Sequence, residues 1–376
     1  MILKNARIFP MDRPPVSEGV VAFEGGKITA VGSMEDCPAG EALDLGGARI
    51  YPGFVDAHCH LGMFGDSVGF EGADGNESTD PVTPHLRAID SIDPMDRCFS
   101  EAREAGITTV LTGPGSANAI GGQFAAVKTA GRWIDRMIVK APAAMKFALG
   151  ENPKKTYKGR GETPVTRMAT AALIREELRK AQEYLRRQER GERPDYDAKL
   201  EALVPVIQKK LPAHFHAHKA NDIATAVRIA KEFDLDAVIV HATEGHLVAD
   251  LLGEEGIPVI TGPVINDRSK PELRHLEQEN AAVLVRAGVP AAICTDHPEN
   301  PIQYLPLAAA LTVRAGVTPE EALLAITLRA AEIAGIADRV GSLTVGKDAD
   351  LVVLDGDPLE MQSRVQMVFI DGQRVK

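Results

Sequence analysis

Two histidines separated by one residue, His58 and His60, stand at the end of an apolar, β-branched segment. Side chains on a strand repeat every second residue, so both imidazoles point to the same side, about 6.6 Å apart along the strand. Two imidazoles at that separation can bind one cation through bonds of about 2.1 Å. Two hydrogen-bonded histidines at a strand end would show the same pattern. The pair therefore predicts a metal site only together with matching residues elsewhere.

Three further apolar segments end in residue types that bind metal ions. His216 and His241 each close a buried segment, and Asp296 closes the segment 291–295. A polar group at such a position is costly unless it has a partner. A hydrogen-bonded histidine or a helix-capping aspartate would explain each residue alone. Together, the histidines and the aspartate form a nitrogen and oxygen ligand set that suits zinc or a similar divalent ion.

The segment that contains His216 alternates histidines with apolar residues. His214 and His218 share its face. We expect His214 to lie deeper, as a hydrogen-bonded core residue, and His218 to lie in the loop just beyond the strand, where it could contact a substrate. Three other histidines have no partner pattern and are expected at the surface or in structural roles: His85, His246 and His275.

The stretch from residue 53 to residue 340 alternates apolar strands with helical segments. Besides the strand that carries His58 and His60, we predict strands at 108–112, 124–127, 143–148, 212–216, 237–241, 258–261 and 291–295. Helices are predicted between most of them, at 94–105, 222–233, 247–255 and 271–287. Eight strands with intervening helices predict an α/β fold, the (β/α)8 TIM barrel, whose active face is formed by the carboxyl ends of the strands.

The two ends of the chain share a sequence pattern that differs from that of the middle. Residues 1–52 and 341–376 consist of short apolar strands with hairpin-turn signals at 24–26 and at Asp371–Gly372. Because short isolated strands are rarely stable, we predict that both ends meet in one small β-sandwich. Residues 53–340 would then form the barrel.

Two long segments interrupt the alternation, at 62–84 and at 150–211. Segments of this kind are usually lids or binding loops. The second starts with a polar loop at 151–161 and continues with helices at 171–187 and 198–210. Its basic residues, among them Arg160 and Arg167, form either a solvated loop or a clamp for a substrate carboxylate.

Composition limits the classes of function. The chain of 376 residues is 44% hydrophobic and 25% charged, as in soluble globular proteins, and its net charge of −11 argues against a nucleic-acid or membrane-surface binder. No apolar run approaches the roughly 18 residues of a membrane span, and the N-terminus lacks the layout of a signal peptide. Four scattered cysteines indicate reduced thiols in a cytoplasm. We expect a small-molecule substrate and a homo-oligomer.

Four motifs carry a resemblance to the amidohydrolase superfamily, in particular to its imidazolonepropionase-like and prolidase-like members. They lie at 51–60, 106–110, 292–296 and 341–353. The resemblance implies a (β/α)8 barrel with a β-sandwich and metal-dependent hydrolysis of a carbon–nitrogen bond. It also implies the ligand positions: His58 and His60 on the first strand, His216 on the fifth, His241 on the sixth and Asp296 on the eighth.

The resemblance implies that a residue on the fourth strand determines how many metal ions are bound. In binuclear members, a lysine there is carbamylated and bridges two ions. Lys146 lies on an otherwise apolar strand, where burial should lower its pKa and leave a neutral amine that can take up carbon dioxide. Lys140 and Glu151 are rival bridges, and a lysine that snorkels or pairs with an acid is a further alternative. Without a bridge, one ion would be bound by His58, His60, His216 and Asp296.

We predict that Asp296 and His241 take part in catalysis, with Asp296 as general base and then general acid towards a metal-activated water. A mononuclear deaminase of a heterocycle is the alternative. Such relatives often carry His-x-x-Glu on the fifth strand, but here Lys219 is the third residue after His216. His241-x-x-Glu244 keeps the spacing on the sixth strand. A non-catalytic assembly protein of the same fold is disfavoured because the ligand set is complete.

Overall fold

A computed structural model describes residues 1–65 and 69–376. Its strands form two eight-stranded sheets. The first sheet takes its strands from both ends of the chain: β1 Ile2–Ile8, β2 Val16–Glu24, β3 Lys27–Ser33, β4 Ala42–Asp44, β5 Arg49–Pro52, β14 Leu351–Leu354, β15 Val365–Ile370 and β16 Gln373–Arg374. The second sheet is formed by the middle of the chain: β6 Phe54–Cys59, β7 Ile107–Thr112, β8 Ile120–Lys128, β9 Ile138–Ala148, β10 Ala213–Ala217, β11 Ala237–His241, β12 Val259–Thr261 and β13 Ala291–Ile293.

The two ends of the chain meet where β5 pairs antiparallel with β14. Leu351 lies opposite Pro52, and Val353 lies opposite Ile50. Apolar side chains from both ends share one buried cluster, because neither set of short strands could bury its apolar face alone. This confirms the predicted β domain built from both termini. The domain boundaries at residues 52 and 340 remain a prediction.

The second sheet curls into a nearly closed barrel in the order β6 to β13. Residues after β13 hydrogen-bond to the end of β6: the amide of Asp296 donates to the carbonyl of His58 at 3.2 Å, and the amide of His60 donates to the carbonyl of His297 at 2.8 Å. The first and last strands are therefore tied together at the carboxyl end of the barrel. The α/β barrel predicted from eight strand segments is confirmed.

One strand departs from the regular repeat. β8 runs antiparallel to both of its neighbours, β7 and β9. A parallel connection needs a crossover of a dozen or more residues, but only 113–119 and 129–137 link these three strands. Hairpin-like links replace two crossover helices, so the all-parallel strand direction of a (β/α)8 barrel fails here while the eight-stranded barrel is kept.

The helices pack around the barrel, and the two later helices of the long excursion after β9 share a buried apolar cluster with β9 and β10. The first part of this excursion, predicted as a polar loop, is helical, and Lys155 and Lys158 in its last turn favour a helix C-terminus there. None of the helices in the described ranges is both long and apolar enough to span a membrane. The helix bounds are α1 Arg97–Glu104, α2 Glu151–Lys158, α3 Arg167–Glu189, α4 Ala198–Ile207, α5 Ala220–Phe233, α6 Ala249–Glu254, α7 Asn280–Arg286, α8 Leu305–Arg314, α9 Pro319–Leu324 and α10 Leu328–Ile333.

A buried ion network joins the barrel to the terminal sheet. Lys128, at the end of β8, places its Nζ 2.8 Å from Asp348 Oδ2 and 2.5 Å from Asp350 Oδ2. All three side chains are buried. Asp348 also pairs with Lys27 at 2.6 Å and with Arg339 at 2.8 Å. The network gives a structural reason for the acidic residues of the motif at 341–353.

Candidate active site

Two clusters of potential metal ligands lie at the carboxyl end of the barrel. The first cluster consists of His58, His60 and Asp296, and the second cluster of His216, His218 and His241. In each, the ligand atoms lie within 4.8 Å of one another. These side chains come from strands β6, β10 and β11 and from the loops after β6, β10 and β13, which are adjacent only in the closed barrel.

The first cluster presents a carboxylate to two imidazoles. Asp296 Oδ1 lies 3.2 Å from His60 Nε2 and 3.6 Å from His58 Nε2. His60 Nδ1 lies 2.7 Å from the carbonyl of Gly113, to which it donates, so Nε2 is left with a lone pair for a ligand. Asp296 Oδ1 is buried without a hydrogen-bond partner among the described residues. A buried acceptor of this kind fits a site that is built for a cation.

The second cluster is oriented in the same way. His241 Nδ1 donates to the carbonyl of Gly262 at 2.8 Å, which leaves Nε2 unprotonated. His218 Nδ1 lies 2.7 Å from Thr243 Oγ1. The ring of His216 lies 4.5 Å from that of His241, between centroids. The outer hydrogen bonds thus hold the imidazoles in place.

Lys146 lies beside the first cluster, on β9. Its side chain is fully buried, and its Nζ is 3.3 Å from His58 Nε2. No carboxylate in the described ranges forms an ion pair with it. Burial lowers the pKa of Lys146 to about 8, so a substantial fraction of the amine is neutral near physiological pH. The ring of His58 is also 5.5 Å from that of His241, so the two clusters adjoin each other.

The electrostatics of the clusters favour metal binding. Burial lowers the pKa of His58, His216 and His218 well below the ordinary histidine value, and that of His241 to about 4. The imidazoles are therefore neutral, which is the form that binds metals. Burial alone would raise the pKa of Asp296, but His241 and His60 hold it below its usual value. Neutral nitrogen donors with one carboxylate are the ligand set of zinc sites, so the residues fit a divalent ion.

The backbone is strained at two of these cluster residues. His241, Ala242 and Asp296 have φ angles of 75°, 45° and 55°, in the left-handed region that non-glycine residues rarely adopt. Each such residue costs about 1–3 kcal/mol, and residues of this kind cluster at functional sites because surrounding contacts hold them there.

Asp56 supports the first cluster from within the barrel, a role that the sequence patterns did not predict. Its carboxylate accepts hydrogen bonds from the amide and hydroxyl of Thr295, at 3.1 and 2.5 Å, and from the amide of His58 at 3.2 Å. Burial raises its pKa to about 7. A carboxylate inside an otherwise apolar strand segment was the available signal, since such a group needs partners. Asp56 thereby couples β6 to the residue just before Asp296.

A cavity of about 370 Å³ opens directly above both clusters. Its size is within the range of small-molecule sites. Besides cluster residues His60, His216, His218 and Asp296, polar groups on its wall are Asn76, Ser116, Asn152, Asn266, Ser269, Lys270 and Glu299.

The structure places two of the predicted substrate contacts away from this wall. Arg160 lies on the surface and donates to Ser78 Oγ at 2.9 Å. The Nε of Arg167 donates to the buried carboxylate of Asp222 at 2.8 Å. Neither arginine lines the cavity in the part of the chain that is described.

The rival bridging residues make other contacts. Lys140 Nζ donates to the carbonyl of Gly335 at 3.2 Å, from the half of β9 opposite to Lys146. Glu151 begins α2, and its amide donates to Glu272 Oε2 at 3.0 Å. Of the three candidates, Lys146 is the one that contacts a cluster histidine.

Three further features were not foreseen. His218, predicted as a substrate contact, belongs to the second cluster. Glu272 is buried, with its Oε1 3.7 Å from His218 Nε2 and 2.8 Å from the Nζ of Lys270. His214 is buried as expected, but neither ring nitrogen has a hydrogen-bond partner in the described ranges. Lys270 and Glu272 follow β12 in a segment without periodicity, so sequence patterns gave no signal for them.

Known proteins resemble this chain in sequence. A model of the amidohydrolase family matches residues 49–375. The amidohydrolase tasK of Hapsidospora irregularis is 30% identical over 94% of this chain, which spans 39% of the length of tasK. The imidazolonepropionase of Paracoccus denitrificans is 27% identical, with 97% of this chain and 96% of the relative covered.

A solved structure resembles the chain over its whole length. The crystal structure of an amidohydrolase from Thermotoga maritima superimposes with a TM-score of 0.96 at 43% identity, and the match covers 100% of this chain and 99% of that one. The match includes both the barrel and the terminal sheet. These similarities point to the family that the sequence motifs predicted.

Proposed function

The chain belongs to the amidohydrolase family, and on that premise we propose that it hydrolyses a carbon–nitrogen bond of amide type in a small molecule. The observation that carries the proposal is the pair of buried ligand clusters beneath the 370 Å³ cavity. The substrate would be an amide, a cyclic amide or a peptide-like compound. Homo-oligomeric assembly and a cytoplasmic location stay predictions.

In this proposal, His58, His60 and Asp296 hold one divalent ion, most suitably zinc, and His216, His218 and His241 can hold a second. A bound ion would supply Lewis acidity and lower the pKa of water towards 7. The hydrogen bonds from His60 to Gly113 and from His241 to Gly262 keep the ligand nitrogens unprotonated.

Asp296 carries the proton transfers. Its Oδ1 lacks a hydrogen-bond partner in the described structure, and its side chain faces the cavity. Since its pKa is held below the usual range, the carboxylate is ionised at neutral pH and can accept a proton from the attacking water. It then returns that proton to the leaving amine, which completes the hydrolysis.

Lys146 would bridge the clusters as a carbamate, because a buried, partly neutral amine can take up carbon dioxide. We expect Lys146→Met to lower the number of bound ions per chain, measured by elemental analysis of the zinc-loaded protein. Protein equilibrated with ¹³C-bicarbonate should show a carbamate signal by NMR that the variant lacks. Lys140→Met is the matched control on the same strand. An unlabelled native protein, or a variant with undiminished metal content, would exclude the bridge.

His218 extends the predicted ligand set. If it binds an ion with His216 and His241, His218→Asn should weaken zinc binding at the second cluster by at least about tenfold. Competition with a chromophoric chelator measures this affinity. His246→Asn, a change of the same type at a histidine outside the clusters, should leave it unaltered. Equal affinities of native protein and His218→Asn would remove His218 from the site.

The contacts of Glu244, the glutamate that could act as proton shuttle in a deaminase, favour amide hydrolysis over deamination. Glu244, at His-x-x-Glu spacing, uses Oε2 to accept the amide of Ala220 at 2.8 Å and does not line the described cavity wall. The test is a screen of dipeptides, N-acyl amino acids and cyclic amides for new amine and carboxylate products. Ammonia release from aminated heterocycles, with no amide cleaved, would instead support the deaminase.

A further inference from the structure

The wall of the catalytic cavity has a single basic side chain of the Lys or Arg type among the described residues, Lys270. The other charged groups on the wall outside the histidines are Asp296, which belongs to the first cluster, and Glu299. Asn152, Asn266 and Ser269 add uncharged donors to the same wall. The cavity therefore has one site, apart from bound metal, at which a substrate anion would meet a positive charge.

The position of Lys270 is held by a buried carboxylate. Its Nζ lies 2.8 Å from Glu272 Oε1, and the side chain of Lys270 is 30% exposed whereas that of Glu272 is 1% exposed. Glu272 is anchored in turn, because its Oε2 accepts the amide of Glu151 at 3.0 Å. An ammonium group has three donors, so contact with Glu272 leaves donors for a ligand. Glu272 thus holds the ammonium at the wall of the cavity.

We propose that Lys270 is a specificity-determining residue that binds the carboxylate of an amide substrate, such as an N-acyl amino acid or a dipeptide. The inference rests on the proposed hydrolytic function and names its substrate class. Asp296 and Glu299 repel an anion, which directs the substrate carboxylate to Lys270 and leaves the amide bond for the clusters. The ion pair with Glu272 also explains why a lysine occurs in this loop, which otherwise packs against the second cluster.

The arginines of the excursion cannot supply this contact in the described arrangement. Arg167 is paired with Asp222, and Arg160 lies at the surface beside Ser78. Lys270 takes over the carboxylate-binding role that the sequence had suggested for those two residues. The sequence pointed to other residues because Lys270 reaches the cavity from the loop after β12, more than 100 residues beyond the basic loop at 151–161.

The test compares two ligands that differ in charge, N-acetyl-L-leucine and N-acetyl-L-leucinamide. Their affinities for zinc-loaded protein are measured by calorimetry in the D296N background, which limits turnover. The acid should bind at least about tenfold more tightly than the amide, as expected for a charge-assisted contact. D296N/K270M should lose this preference, and D296N/K270R should keep most of it. Lys158→Met in the same background, which removes an exposed lysine of α2, should retain it fully.

Three results would overturn the inference: equal affinities for acid and amide, a preference that survives K270M, or no binding of the acid at millimolar concentration. The proposed function itself is tested separately, by the metal content of the native protein and by product analysis in the substrate screen. A protein that hydrolyses only neutral amides would keep the proposed function and reject the role of Lys270.

Discussion

Replacing Asp296 by asparagine is expected to lower kcat by about 10²–10⁴-fold, the usual contribution of a positioned general acid–base group. The amide cannot accept the proton of the attacking water, although it fills the same space. Asparagine also tolerates the left-handed backbone, so the φ of 55° at this position need not change. Steady-state kinetics on a substrate from the screen give kcat, and elemental analysis should find that part of the metal is retained.

Asp234→Asn is the matched control. Asp234 also has a left-handed backbone, with a φ of 53°, but it lies exposed after α5 and pairs with Lys209. The same chemical change at the same kind of backbone should leave kcat within about twofold, since surface substitutions away from special features have small effects. A D296N enzyme with native kcat would mean that another group transfers the proton.

The second large effect is expected at Lys128, in the ion network between barrel and terminal sheet. Lys128→Met should lower the free energy of unfolding by about 3–5 kcal/mol, because it leaves the buried carboxylate of Asp350 without its cation, whereas Asp348 keeps Lys27 and Arg339. Although burial opposes a charge at this position, those carboxylates raise the pKa of Lys128 above its ordinary value. Urea titration followed by circular dichroism measures the change.

Lys27→Met is the control that separates the effect of burial on stability from the effect of charge alone in this network. Lys27 pairs with the same Asp348, at 2.6 Å, but its side chain is 50% exposed. Loss of this half-exposed lysine leaves Asp348 paired with Lys128 and Arg339, so the variant should lose only about 0–1 kcal/mol. Equal destabilisation by the two substitutions would contradict the account, because burial would then not decide the strength of the network.

The sequence was most informative at strand ends. His58, His60, His216, His241 and Asp296 each follow an apolar segment, and parallel strands bring such ends to one face of a barrel. That rule was sufficient to predict five of the six cluster residues. The alternation at His214, His216 and His218 also pointed to one face, but His218 was assigned to substrate because the predicted strand ended at His216 and left His218 in the loop beyond it. The loop after β10 turns it back towards His241.

The sequence patterns did not predict the direction of β8 or the contacts of the loop after β12. The segment of β8 is apolar on both faces, and apolar periodicity does not encode whether a strand runs parallel or antiparallel. Short links on either side were the usable signal. Lys270 and Glu272 lie in an aperiodic loop, and their position depends on tertiary contacts with Glu151 and His218. Such contacts join residues that are far apart in sequence, so composition and spacing do not reveal them.

The most direct test of the central claim is anomalous X-ray diffraction from crystals of the zinc-loaded protein, measured on both sides of the zinc absorption edge. The account predicts an anomalous peak bounded by His58, His60 and Asp296, and with two ions a second peak bounded by His216, His218 and His241. Zinc bound elsewhere, with the side chains of both clusters hydrogen-bonded only to protein or water, would contradict it.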